Sequence, residues 1–251
     1  MNIFKSNIIK AAILPLVIGV ILAGSQISHS QDAVITESLW PANDEFGGKG
    51  ALQKADWFKK LWQQRRSQWK KDAAKDQGAI VFAGDSITQG WNLEKYFPNL
   101  KVANRGISGD TTIQLRYRFK EDVISLKPTA IVLLIGTNDL GLGGTPEEAA
   151  ENIGAILNQI KSDLPKTPVI VCKVMPRQPQ FAEKIKRLNA LVDKLVEGNP
   201  QFIRCDTYSI YADEKGAAKK EEFPDMLHPN SAGYQKWKAA LEPIFAKIVK
   251  N

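Results

Sequence analysis

The stretch Ala-Ile-Val-Phe-Ala-Gly-Asp-Ser-Ile-Thr-Gln-Gly, residues 79–90, decides the fold. Its first five residues are a continuous apolar run of the length of a strand buried on both faces. Gly84 then lets the chain turn sharply, and Ser86 opens a helix. Apolar runs at 130–135, 168–174 and 201–205, with a shorter one at 101–104, read as further strands. Helical patterns lie between them. At 145–148, Thr-Pro-Glu-Glu supplies an N-cap, a first-position proline and a capping-box glutamate, which predicts a helix to about Ser162. Two more helices are predicted over 180–197 and 231–249. Strand–helix alternation of this kind predicts an α/β fold with a parallel sheet covered on both faces. Sites in such sheets form at the carboxyl ends of the strands. Polar segments at 84–88, 104–110 and 136–139 each follow a predicted strand directly.

Residues 1–30 stand apart from this pattern. Lys5 and Lys10 precede an uncharged apolar run from Ala11 to Gly24, and small residues follow. That reads as a secretory signal peptide, which predicts an exported protein. A retained anchor is the alternative, although the run is shorter than the ~20 apolar residues a span needs. Residues 31–50 are polar and contain Gly and Pro, as expected of an extended arm, and 51–251 would form one domain.

Net charge is +7, and most of the excess lies between Lys59 and Lys75, where seven basic residues face only Asp72. Phe58, Leu61, Trp62 and Trp69 recur there near helical spacing. The pattern predicts an amphipathic helix docked by its apolar side with its basic face in water; contact with an anionic surface is the other reading. Nucleic acid is not an expected partner, because the charge is local and modest. Membrane contact is expected only through the leader, if it is retained. Cys172 and Cys205, the only cysteines, sit in apolar strand patterns. Export would permit a disulfide, and buried free thiols are the alternative.

Four polar segments carry the chemistry. Ser86 is either a helix N-cap or a nucleophile whose own N–H points where an anion would lie. Gly109, in Ile-Ser-Gly-Asp, and Asn138, in Gly-Thr-Asn-Asp, are either turn residues or donors to a developing oxyanion. His228 follows Asp225 by three residues between Pro224 and Pro229. It is either a surface histidine or a general base oriented by that carboxylate. His29, the other histidine, lies in the leader. One histidine and two cysteines provide no metal-ligand cluster, and no dinucleotide or phosphate-loop glycine motif is present, so no cofactor is expected.

These blocks resemble those of the SGNH (GDSL-type) hydrolases from residue 79 to the C-terminus. Their wording is similar to the branch around the catalytic subunits of platelet-activating-factor acetylhydrolase. The resemblance implies a three-layer α/β/α, flavodoxin-like fold with a parallel central sheet. It implies Ser86 as nucleophile, Asp225 and His228 as its triad partners, and Ser86, Gly109 and Asn138 as oxyanion-hole donors. It also implies hydrolysis of short acyl esters, often acetyl, on a small acylated substrate that includes glycans. A lysophospholipase or thioesterase is the alternative activity, and a non-catalytic carbohydrate-binding protein is the alternative from another class.

Overall fold

The computed structural model describes residues 55–248. The expected signal peptide, the arm at 31–50 and the ends of the expected domain, 51–54 and 249–251, lie outside the described residues. Five strands, β1 (Ile80–Gly84), β2 (Val102–Gly106), β3 (Ala130–Leu134), β4 (Val169–Cys172) and β5 (Phe202–Cys205), form one sheet. All pairs are parallel and the order is β2-β1-β3-β4-β5. This is the doubly wound, flavodoxin-like order, whose strand sequence reverses between β1 and β3.

Side chains alternate across the strands, so each strand feeds two cores. Val81 and Ala83 of β1, with Ile131 and Leu133 of β3, pack on one side. That side is covered by α4 (Thr112–Asp122), α6 (Pro146–Asp163) and α7 (Ala182–Val196). Ile80 and Phe82, with Val132 and Leu134, face the opposite way, toward α3 (Leu93–Tyr96) and α8 (Ser231–Ile248). Both faces being buried explains the unbroken apolar runs of the sequence. The second core is aromatic: Trp91 stacks on Trp237 at 4.4 Å and on Tyr234 at 5.4 Å between ring centroids. Such pairs contribute about 0.5–1.5 kcal/mol each beyond their burial.

The strands start and stop within two residues of expectation, and the Thr145–Glu148 capping box forms with Pro146 first in α6. Cys172 and Cys205 are register partners across β4 and β5, both buried and unbonded. The basic helix, α1 (Asp56–Asp76), requires a correction. Phe58, Trp62 and Trp69 are buried as expected, but so is Arg66, whose Nε donates to Asp122 Oδ2 at 2.8 Å. The helix therefore docks through ion pairs as well as apolar contacts. Its cationic face does not lie wholly in water, because Asp122 of α4 presents a buried carboxylate that needs a counter-charge.

Candidate active site

Ser86 stands where β1 ends and α2 (Ser86–Gln89) begins. The turn requires Gly84, because a Cβ there would lie 2.3 Å from Thr88 Oγ1 and 2.4 Å from the Leu134 carbonyl oxygen. Asp85 caps α2, its Oδ1 accepting the Ile87 N–H at 3.0 Å. The Ser86 N–H meets no acceptor within the described residues.

Residues 107–110 form a tight turn closed by the Asp110 N–H on the Ile107 carbonyl at 3.0 Å. Its third residue, Gly109, has φ +88°, a conformation that glycine adopts without steric cost. Gln89 holds this turn to α2, its Oε1 accepting the Ser108 N–H at 2.7 Å. The Gly109 N–H is left without a protein acceptor among the described residues. Asn138 lies in the first turn of α5 (Thr137–Gly141), directly after β3. Its Nδ2 donates one proton to the Asp110 carbonyl at 2.9 Å, which leaves the second amide proton for another acceptor. Asp139 ties α5 to the start of α4, accepting from the Thr112 N–H at 3.0 Å and from Thr112 Oγ1 at 2.6 Å.

His228 reaches this cluster from the loop before α8. Asp225 Oδ1 accepts the backbone N–H groups of Leu227 and His228 at 3.0 and 2.7 Å. Met226 between them takes φ +61°, an uncommon left-handed conformation for a long side chain. That conformation, at a cost of order 1–3 kcal/mol, turns the loop tightly enough for Asp225 Oδ2 to meet His228 Nδ1 at 2.6 Å. His228 Nε2 lies 2.9 Å from Ser86 Oγ. A carboxylate only accepts, so the shared proton sits on Nδ1, and Nε2 of the neutral ring accepts from the Ser86 hydroxyl. The spacing is set from behind, where Tyr234 of α8 donates its hydroxyl proton to the Ile87 carbonyl at 2.8 Å.

The Asp225 and His228 side chains are 56% and 42% exposed, so the serine–imidazole pair opens to solvent. Partial burial pushes the Asp225 carboxyl up, but the bonds from His228 and Leu227 outweigh it and hold the group below its ordinary value. Behind the site the balance reverses. Burial pushes Asp85 up to about 7, against the Ile87 N–H. Burial also raises Asp110 to about 6 despite Arg118, and Asp139 to about 6 despite the two Thr112 bonds. The sequence signalled Ser86, Gly109, Asn138, Asp225 and His228. It gave no role to Gln89, Asp85, Asp110 or Asp139, although three of these adjoin a flagged residue. Among the described residues, no three His, Cys, Asp or Glu side chains converge on a metal-sized space.

Residues 82–236 match the family described as GDSL-like Lipase/Acylhydrolase. The chain is 28% identical over 203 residues to Platelet-activating factor acetylhydrolase IB subunit alpha2 of Homo sapiens, covering 76% of this chain and 86% of that one. A Streptococcus pneumonia structure provisionally described as a platelet activating factor superposes with a TM-score of 0.69 at 27% identity, covering 75% of this chain and 94% of that one. A GDSL-like lipase of Bacteroides thetaiotaomicron superposes with a TM-score of 0.62 at 27% identity, covering 72% and 98%.

Proposed function

Since the chain belongs to the GDSL-like lipase/acylhydrolase family and is a carboxylic ester hydrolase, we propose that it is an exported serine esterase that removes short acyl groups, acetyl above all, from a small acylated carbohydrate. The observation that carries the proposal is the hydrogen-bonded series Ser86 Oγ, His228 Nε2, His228 Nδ1 and Asp225 Oδ2, at 2.9 and 2.6 Å. In this reading Ser86 Oγ attacks the acyl carbon while its proton passes to His228 Nε2. The carbonyl oxygen becomes an oxyanion, which the N–H groups of Ser86 and Gly109 and the free amide proton of Asn138 stabilise. Asp225 stabilises the imidazolium. His228 then protonates the departing alcohol oxygen, and the acyl group remains esterified to Ser86. Water attacks that ester, giving its proton to Nε2, and collapse of the second oxyanion releases the carboxylic acid and restores the serine.

The acetyl preference is supported by the acetylhydrolase relative. Export is supported by the leader-like character of residues 1–30, and the carbohydrate alcohol is what the resemblance to the SGNH hydrolases implies. The triad is supported by the geometry above. A chain-length series of p-nitrophenyl esters, run beside acetylated oligosaccharides, tests the substrate. The proposal expects kcat/KM to fall from acetyl to octanoyl, with acetate released from the oligosaccharide. A higher kcat/KM for octanoyl would replace it with a lipase reading.

A further inference from the structure

We propose that Arg118 is a positioning residue that holds the two backbone segments of the oxyanion hole in register, and that Trp69 of α1 clamps its guanidinium from outside. The proposal rests on the reading of Ser86, Gly109 and Asn138 as oxyanion donors.

Arg118 is fully buried. Its Nε donates to Asp110 Oδ2 at 2.7 Å, and its Nη2 donates to the carbonyls of Gly84 at 3.1 Å and Arg105 at 2.9 Å. Gly84 is two residues before Ser86. Asp110 directly follows Gly109, and its carbonyl accepts the Asn138 amide. One rigid, planar group thus ties the end of β1 to the end of β2 and to the turn that presents Gly109. One further hydrogen bond reaches Asn138. A shift of the guanidinium would change the distance between the Ser86 and Gly109 N–H groups.

The clamp is equally specific. The Trp69 ring lies 5.4 Å from Arg118 Cζ and 5.0 Å from each of Arg65 Cζ and Arg105 Cζ. Cations gather on an aromatic face where water is excluded. Arg105 Nη2 is tied back to α1 by Asp76 Oδ2 at 2.8 Å. The helix that looked like a solvated basic face therefore closes the back of the catalytic segments. Buried ion pairs add little net stability, so the Arg118–Asp110 pair is poorly explained as a device for folding alone. A lysine at 118 would supply the charge without the fork that reaches a carboxylate and two carbonyls together.

The test is a set of double-mutant cycles on the full chain, with kcat and KM measured on p-nitrophenyl acetate. Asn138→Ala should lower kcat about 10²–10³-fold. Arg118→Lys should lower kcat about 10–100-fold with KM within threefold of wild type. Together the two changes should cost far less than the product of the single effects, because both act through the same donors. Trp69→Leu, a change outside the buried pair, should lower kcat about three- to tenfold with the same sub-multiplicative coupling, and it keeps the test open if Arg118→Lys does not fold. Folded Arg118→Lys with kcat within threefold of wild type, or losses that simply multiply with Asn138→Ala, would overturn the proposal. A silent Asn138→Ala would instead overturn the oxyanion reading on which it rests.

Discussion

Asp225→Asn isolates the job of the carboxylate, because the loop admits only one orientation of the amide. Asp225 Oδ1 accepts two backbone N–H groups at 3.0 and 2.7 Å, so the amide oxygen must take that place. Turning the amide over would set its NH2 against two donors. The NH2 group is therefore left facing His228 Nδ1, where the carboxylate now sits at 2.6 Å. Two donors cannot share that contact. The ring answers by moving its proton to Nε2, which then points an N–H at Ser86 Oγ across 2.9 Å instead of a lone pair. The base is removed without removing the imidazole. Loss of tautomer control and of imidazolium stabilisation costs about 10²–10⁴ in kcat, which corresponds to about 3–5.5 kcal/mol of barrier. Folding should barely change: the two backbone bonds survive, and the Asp225 side chain is 56% exposed. A solvent-screened ion pair contributes about 1 kcal/mol or less. The assay is kcat on p-nitrophenyl acetate beside urea denaturation of both proteins. A variant that keeps more than a tenth of wild-type kcat, with an unchanged denaturation midpoint, would refute the reasoning.

Asp85→Asn should flatten the dependence of stability on pH. Burial raises the Asp85 carboxyl from 3.8 to about 7, so the folded state holds a proton that the unfolded chain releases. The stabilisation is complete below the unfolded value and is lost as pH rises through about 7, with a size on the order of 4 kcal/mol. Urea titrations at pH 5 and pH 8 should show the variant gaining on wild type at the higher pH; parallel profiles would contradict the burial argument. EDTA should leave ester hydrolysis unchanged, because every proposed step uses a side chain or backbone N–H, and restoration of lost activity by zinc or calcium would show a missing participant.

The sheet was legible because β1 and β3 are buried on both faces, and nothing but an unbroken apolar run serves that environment. The start of α6 was legible because Thr145 and Glu148 cap each other within four residues. The site was legible where chemistry restricts the residue type, as with His228, which has no rival outside residues 1–30. Longer-range relations were not. Arg66 reads as one more cation in a basic helix, since its partner Asp122 is 56 residues away in the chain. Arg118 likewise carries no local signal, because its bonds go to Gly84, Arg105 and Asp110 on other elements. The left-handed turn at Met226 carries no sequence signal either, because a long side chain is not the residue type that announces such a backbone.

The central claim is that Ser86 is a nucleophile activated by His228. A fluorophosphonate probe tests it directly, because the probe leaves its phosphonyl group on an activated serine. Intact mass and peptide mapping should show one adduct per chain, on Ser86, with labelling abolished in Ser86→Ala and slowed at least a hundredfold in His228→Ala. A wild-type protein that stays unlabelled, or an adduct that maps to another residue and persists in Ser86→Ala, would contradict the account.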